Sequence, residues 1–225
     1  MPSVRRGDAG PLSVLSTPAV PAAAVLLLHG GRSEGLEPPP AINLPALRMR
    51  PFATGIRRTL ADRDVLVAMV RYRHRGWNGA RADAARDAEA ALVAVARSAG
   101  DIPVVLVGHS MGGRAALRAA GHPTVRGVVG LAPWCPPGEP VDHLAGRRIH
   151  LLHDEADRVT SAAESWEFVR RARAGGSEAT GTPMPRGGHA MLRGAADWQR
   201  RTTVLVAELL DTPPPRTGSG GQGRP

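Results

Sequence analysis

Short apolar runs alternate along the chain with longer amphipathic segments, and the two patterns predict different secondary structures. Unbroken apolar runs of about four to six residues are typical of strands that are buried on both faces of a parallel sheet. Such runs predict strands at Val25–Leu28, Val65–Arg71, Val104–Val107, Gly127–Leu131 and Ile149–Leu152. Weaker patterns predict two further strands, at Leu12–Ser16 and around Ala179–Met184.

The longer segments between these runs carry apolar residues at helical spacing. In Ala80–Ala99, the residues Ala84, Ala88, Leu92 and Val95 form one apolar stripe, as an amphipathic helix requires. Further helices are predicted at Leu47–Arg63, Met111–Ala120, Ser161–Ala174 and Met191–Leu210. This alternation predicts an α/β fold, in which a doubly wound, mostly parallel sheet has helices on both faces.

The composition indicates one folded unit. The chain has 225 residues, of which 42% are hydrophobic, and this is enough for one core. We therefore predict a single domain over residues 1–210. The last segment, residues 211–225, contains four Pro and four Gly, so it is predicted to be a disordered tail. A long loop with three consecutive prolines is expected at Gly35–Ala46.

The charge of the chain is strongly positive, but its distribution does not favour a nucleic-acid function. All 29 basic residues are Arg, and the net charge is +9. Because the arginines are scattered and aromatic residues make up only 3% of the chain, we attribute the charge to a compositional bias and expect no specific nucleic-acid partner.

The chain also lacks the pattern of a membrane or secreted protein. No apolar run approaches the ~20 residues that a membrane-spanning helix needs, so no membrane association is expected. The apolar stretch Ala19–Leu28 follows Arg5 and Arg6 as in a signal peptide, but prolines interrupt its start and it leads into a glycine-rich loop. We interpret it as a buried strand and expect a cytoplasmic protein. Cys135 is the one cysteine, which rules out an intramolecular disulfide.

One motif points to nucleophilic catalysis. The segment Gly108-His109-Ser110-Met111-Gly112 fits the G-x-S-x-G nucleophile elbow, a tight turn from a strand into a helix. Here an apolar strand precedes the motif and a helix rich in small residues follows it. Such a turn projects the Ser110 hydroxyl above the sheet, beside a helix N-terminus that favours developing negative charge.

With this motif the chain resembles the α/β-hydrolase superfamily, and in particular its lid-poor serine esterases and lipases. The resemblance covers roughly Leu12 to Leu210. His29-Gly30-Gly31, directly after a predicted strand, is similar to the family's oxyanion loop. The resemblance implies that the backbone N–H groups of Gly31 and Met111 bind the oxyanion of the tetrahedral intermediate.

The resemblance also implies a catalytic base. In this fold the triad follows the chain order Ser, acid, His. His150 lies inside a predicted strand and His153 directly follows it, whereas His189 lies in the loop Arg186-Gly187-Gly188-His189 before the last predicted helix. That setting is similar to the family's catalytic-histidine loop, so His189 is the expected base.

The acid has more than one candidate. The segment Leu151–Val159 resembles the family pattern H-G-x-x-D-x-x-V, which makes Asp157 the expected acid and puts Asp154 where the family has a glycine. Asp154 is therefore an alternative acid, and Asp142 is a weaker one. Neither a metal ion nor an organic cofactor is expected.

Two further features bear on the substrate. Trp134 follows a predicted strand and is a candidate wall of the substrate pocket, while Arg71–Arg75 are interpreted as a solvated loop. Only about seventeen residues separate Leu131 from Ile149, too few for the helical cap that family members often carry, so an open site is expected.

The sequence thus predicts a serine hydrolase for carboxylic esters or thioesters of small acyl groups, as a monomer or homodimer. Three alternatives stay open, namely a non-catalytic binding protein with this fold and an acyltransferase or amidase with the same triad.

Overall fold

The computed structural model of the protein describes residues 10–211, in which seven strands alternate with five helices. The strands are β1 (Leu12–Ser16), β2 (Ala23–Leu28), β3 (Val65–Val70), β4 (Val104–His109), β5 (Val125–Leu131), β6 (Arg148–His153) and β7 (Glu178–Pro183). The helices are α1 (Leu44–Thr59), α2 (Asp83–Ala99), α3 (Met111–Ala119), α4 (Ala162–Ala174) and α5 (Ala195–Asp211).

The strands form one sheet in the order β1-β3-β2-β4-β5-β6-β7. β1 is antiparallel to β3, and every other neighbouring pair is parallel. All seven predicted strands are present, and the predicted mostly parallel sheet is confirmed. Because the parallel strands share one direction, the loops that follow β2, β4, β6 and β7 meet at the same edge of the sheet.

Helices cover both faces of this sheet. The side chains of β2 alternate between the faces, so that Ala24, Leu26 and Leu28 contribute to one buried cluster while Val25 and Leu27 contribute to the other. The first cluster includes apolar residues of α2, α3 and α4, and the second includes those of α1 and α5. The doubly wound architecture is therefore confirmed.

The helix α1 begins and ends earlier than its predicted range of Leu47–Arg63. The side chain of Asn43 caps the helix by accepting a hydrogen bond from the backbone N–H of Ala46 at 3.4 Å. A proline occupies the first turn, where it is tolerated because its missing N–H has no intrahelical acceptor. The predicted loop Gly35–Ala46 is thus shorter than expected.

Unusual backbone conformations shift the starts of two other helices. A 3₁₀ turn at Gly79–Arg81 and a left-handed Ala82, with φ +46°, precede α2, so the helix begins three residues after the predicted Ala80. Met191 also has a positive φ, at +56°, and α5 begins only at Ala195.

The end of α5 differs by one residue from the predicted boundary of the tail. Asp211 is the last residue of the helix, and its carboxylate pairs with the Arg63 guanidinium at 2.6 Å. It was predicted as the first residue of the tail, and this assignment is wrong. The rest of the predicted tail, residues 212–225, lies outside the described residues.

The connection between β5 and β6 contains only a 3₁₀ turn at Asp142–Leu144 and no cap helix. The prediction of a minimal cap is therefore confirmed. Along residues 10–211, no helix has both the length and the apolar character needed to cross a membrane.

Candidate active site

Three side chains predicted from the sequence form one hydrogen-bonded chain at the edge of the sheet. His189 Nε2 lies 3.0 Å from Ser110 Oγ, and His189 Nδ1 lies 2.9 Å from Asp157 Oδ2. An ionised carboxylate can only accept, so the Nδ1–H donates to Asp157 and Nε2 accepts the hydrogen bond of the Ser110 hydroxyl. The Asp157 side chain is fully buried, whereas 16% of the His189 side chain is exposed, so the histidine forms the solvent-facing part of the chain.

Ser110 occupies the strained turn that the motif predicts. Its backbone has φ +56° and ψ −122°, a conformation that costs free energy for a residue with a side chain. The backbone N–H of Ser110 donates to the Leu131 carbonyl at 3.1 Å, and its carbonyl accepts from the Trp134 N–H at 3.1 Å. These bonds to the end of β5 and the segment after it hold the turn in place.

The two glycines of the motif are required by close backbone contacts. A Cβ on Gly108 would lie 2.3 Å from the Gly112 carbonyl oxygen. A Cβ on Gly112 would lie 2.3 Å from the Leu28 carbonyl oxygen and 2.5 Å from that of His29. The start of α3 therefore packs directly against the end of β2 and the loop that follows it.

This close approach brings the two predicted oxyanion residues together. Gly30 borders Ser110, since a Cβ on Gly30 would lie 3.3 Å from Ser110 Cβ. The Met111 side chain is buried and packs against Gly31, which is itself exposed. As the first residue of α3, Met111 has a backbone N–H without an intrahelical acceptor.

The environment of Asp157 keeps its carboxylate ionised. Its Oδ1 accepts hydrogen bonds from the backbone N–H groups of Val159 at 2.8 Å and Thr160 at 3.3 Å. Burial by itself would raise the pKa of Asp157, but the Val159 N–H and the His189 imidazole outweigh it and lower the pKa below its ordinary value. The Asp157 carboxylate is therefore charged at neutral pH and would stabilise a positive charge on the adjacent His189 ring.

Two residues that the sequence did not assign to the site also contact the Asp157 carboxylate. Thr160 Oγ1 lies 3.0 Å from Asp157 Oδ2 and 3.1 Å from His189 Nδ1. His153 Nε2 lies 3.3 Å from Asp157 Oδ2, while its Nδ1 lies 2.8 Å from Ser165 Oγ. Burial lowers the pKa of His153, although Asp157 opposes this effect.

The alternative acid Asp154 has a different position. Its Oδ1 accepts from the Ala156 N–H at 2.9 Å, and its Oδ2 accepts from the Gly188 N–H at 2.7 Å. Both oxygens are thus engaged by backbone, and the carboxylate ties the turn after β6 to the histidine loop. Asp142, the weaker candidate, is an exposed residue of the 3₁₀ turn.

Two other side chains anchor the loop that carries His189. His109 donates from Nε2 to the His189 carbonyl at 2.8 Å, and Trp198 donates from Nε1 to the Arg186 carbonyl at 2.6 Å. Burial, with a smaller contribution from the neighbouring His189 ring, lowers the pKa of His109 to about 3. The His109 ring is therefore neutral at pH 7. The second residue of the G-x-S-x-G motif therefore positions the histidine loop.

The ring of Trp134 contacts Arg114 of α3 and a second tryptophan. It lies 4.4 Å from the Arg114 guanidinium and makes an edge contact with Trp77 at 6.2 Å. Arg114 in turn pairs at 2.7 Å with the buried carboxylate of Glu139, which also pairs with Arg118. This placement indicates that the Trp134 ring stabilises the segment after β5, and its contact with substrate stays a prediction.

The arginine-rich segment after β3 is engaged by acidic partners. Arg73 pairs with the buried Asp87, and Arg75 pairs with Glu37 at 3.2 Å. Backbone hydrogen bonds also join residues 32–37 to residues 75–78.

Across residues 10–211, no group of three or more His, Cys, Asp or Glu side chains is arranged to hold a metal ion.

The sequence of the chain matches one known protein family. A family model described as the alpha/beta hydrolase family matches residues 25–220. No curated protein sequence matches the chain significantly.

Solved structures share the fold at low sequence identity. An α/β serine hydrolase without a lid from Xanthomonas campestris is 18% identical, with a TM-score of 0.63 and 90% of each chain covered. A thermophilic esterase from Thermogutta terrifontis with propionate bound is 18% identical, with a TM-score of 0.62 and 88% of each chain covered. Its butyrate-bound structure is 17% identical, with a TM-score of 0.63, and the match covers 88% of this chain and 87% of that chain. The match of the family model over most of the chain, on a confirmed doubly wound sheet, shows that this protein belongs to the α/β-hydrolase family.

Proposed function

We propose that the protein is a serine hydrolase that cleaves carboxylic esters or thioesters of small acyl groups through an acyl-enzyme intermediate. The observation that carries the proposal is the continuous hydrogen-bonded chain from Ser110 through His189 to the buried Asp157. A nucleophile, a base within hydrogen-bond reach and a group that orients the base are the parts that acyl transfer needs.

The proposed reaction begins with proton transfer. His189 Nε2 takes the hydroxyl proton as Ser110 Oγ attacks the carbonyl carbon of the substrate. The imidazolium that forms keeps its Nδ1–H on Asp157, whose negative charge stabilises it. The oxyanion of the tetrahedral intermediate accepts hydrogen bonds from the backbone N–H groups of Gly31 and Met111, at the positive end of α3.

The intermediate then collapses. The carbon–oxygen or carbon–sulfur bond to the leaving group breaks, and His189 Nε2–H protonates the departing atom. The acyl group stays on Ser110 Oγ until a water molecule, deprotonated by His189, attacks the same carbon. A second collapse breaks the bond to Ser110 Oγ, returns the proton to the serine and releases the carboxylic acid.

The open site supports small acyl groups. The short connection from β5 to β6 offers no cap helix that could enclose a long alkyl chain, and each methylene contributes about 0.8 kcal/mol only where it is buried. The Thermogutta terrifontis esterase of the same fold has been solved with propionate and with butyrate, which supports acyl groups of about two to six carbons. The proposed steps use protein groups alone, and a cytoplasmic location and a monomer or homodimer stay predictions.

A series of p-nitrophenyl esters from acetate to palmitate tests this function. We expect a burst of one p-nitrophenol per active site, the fingerprint of an acyl-enzyme, and the highest kcat/KM at about two to six carbons. Ser110→Ala should remove the burst and lower kcat by about 10⁴-fold or more. Undiminished turnover by Ser110→Ala would contradict the nucleophile, and a maximum at twelve carbons or a rate jump above the micelle concentration would contradict the open site.

A further inference from the structure

The geometry of the proposed intermediate gives the acyl chain a direction. The leaving atom has to lie near His189 Nε2, which protonates it, and the oxyanion has to lie near Gly31 and Met111. The acyl chain therefore leaves the carbonyl carbon on the side away from His189. His189 and Asp157 follow β7 and β6, so this side faces β2 and β3, across β4 in the sheet order.

A cavity lined mainly by apolar surface lies on that side, and Arg32 and Arg75 also contribute to its lining. Its volume is about 340 Å³, and its walls come from the oxyanion loop and the proline-rich segment before α1. The lining residues that would contact an acyl chain include Gly30, Gly31, Pro39, Pro40, Ile42 and Leu44. Gly30, which lines this cavity, also borders Ser110, so one residue separates the cavity from the proposed nucleophile. Ile42 and Leu44 are 76% and 66% exposed, so an acyl chain in this cavity would cover apolar surface that water now contacts.

A second cavity lies behind the same segment. It has a volume of about 550 Å³ and extends toward Met69, Tyr72 and the start of β1. Five residues line both cavities, namely His29, Pro39, Pro40, Ile42 and Asn43. Since these residues face both spaces, Pro39–Asn43 forms a partition between the two cavities.

The partition is held from both ends. Prolines at Pro38, Pro39 and Pro40 restrict the backbone on one side. On the other side, Asn43 caps α1, and its Nδ2 lies 3.3 Å from His29 Nε2. The Tyr72 hydroxyl donates to the His29 carbonyl at 3.2 Å and so holds the oxyanion loop beneath the partition.

We propose that the partition Pro39–Asn43 sets the length of the acyl group, with Ile42 as the residue that determines specificity. Acyl chains of up to about six carbons end at the partition in the first cavity, and longer chains have to displace the Ile42 side chain to enter the second. This inference rests on the proposed function, since it assigns the acyl side of the same reaction.

Ile42→Ala tests the partition, because it removes only an exposed side chain and opens the first cavity into the second. The measurement is the ratio of kcat/KM for p-nitrophenyl octanoate to that for p-nitrophenyl butyrate. Each methylene that becomes buried should raise the ratio about fourfold, so two methylenes predict an increase of at least tenfold. Val20→Ala is the matched control, since Val20 is 78% exposed and precedes β2, whereas the cavities lie beyond the other end of that strand, and it should leave the ratio within twofold of wild type.

A binding measurement separates this proposal from the proposed function. Octanoate and butyrate are titrated calorimetrically into Ser110→Ala, with and without Ile42→Ala. Tighter octanoate binding with Ile42→Ala, by about tenfold, supports the partition even where ester hydrolysis fails to depend on Ser110. An unchanged octanoate-to-butyrate ratio in both the kinetic and the binding experiment overturns the partition, whether or not Ser110 is the nucleophile.

Discussion

The two aspartates after β6 provide the sharpest test of the proposed triad, because both are buried and only one contacts the histidine ring. Asp157 Oδ1 accepts two backbone N–H groups, from Val159 and Thr160. In Asp157→Asn, the amide oxygen must take that position, so the NH₂ group faces His189 Nδ1. The ring then has to accept at Nδ1 and carry its proton on Nε2, the tautomer that cannot deprotonate Ser110.

The expected loss follows from this tautomer. Asp157→Asn should lower kcat by about 10³–10⁴. Asp154→Asn loses one charge-assisted hydrogen bond, since its NH₂ group would meet the Gly188 N–H. Such a bond contributes about 1.5–3 kcal/mol, which bounds the loss in kcat at about 10²-fold. The first variant is therefore at least tenfold more damaging than the second.

The assay is kcat for p-nitrophenyl butyrate at pH 7.5, with circular dichroism to show that both variants are folded. Because the pKa of Asp157 is lowered, its carboxylate is ionised throughout pH 5–8, so the ranking of the variants should hold across that range. A larger loss in Asp154→Asn than in Asp157→Asn would refute the assignment of the acid and reverse the roles of the two carboxylates.

Further predictions concern stability. Gly112→Ala should lower the free energy of unfolding, measured by urea titration, by about 1–3 kcal/mol, because its Cβ would overlap the Leu28 carbonyl. Gly10→Ala is the control and should be neutral, since Gly10 has open space around it. Equal stability of the two variants would contradict the close packing of Gly112 against β2. Glu139→Ala should cost about 3–5 kcal/mol, since it leaves two partly buried arginines unpaired, and a change below 1 kcal/mol would show that this pair of contacts stabilises little. The Arg81 guanidinium lowers the pKa of Asp83 to about 2, so this carboxylate contributes stability above about pH 4 that is lost as pH falls toward 2. The stability difference between wild type and Asp83→Asn should shrink over that window, and a constant difference would contradict the ion pair.

The apolar runs predicted the fold well because strands buried on both faces need apolar residues at consecutive positions. All of β2, β3 and β4 is buried, and these were the clearest runs. The helix boundaries were less accurate, since they depend on single backbone conformations. The left-handed Ala82 delays α2, and an alanine gives no sequence signal for a positive φ.

The sequence predicted the members of the hydrogen-bonded chain but not the groups that position them. Ser110 lies in a recognisable local motif, and the resemblance to the α/β-hydrolase superfamily implied His189 and Asp157 as its partners. The role of His109 depends on a hydrogen bond to the carbonyl of His189, eighty residues away, and that of Thr160 depends on a hydroxyl between two other segments. Contacts of this kind arise from the packing of loops at the edge of the sheet and have no local signature.

The proposed chemistry depends on Ser110 as the nucleophile and on His189 as the base that activates it. Both roles can be measured by reaction of the protein with a fluorophosphonate, followed by mass spectrometry of the intact protein and its peptides. We expect one adduct per chain on Ser110, no adduct in Ser110→Ala, and labelling slowed by about 10³-fold or more in folded His189→Ala. An adduct on another residue, or labelling of Ser110→Ala at the wild-type rate, would show that Ser110 is not the nucleophile.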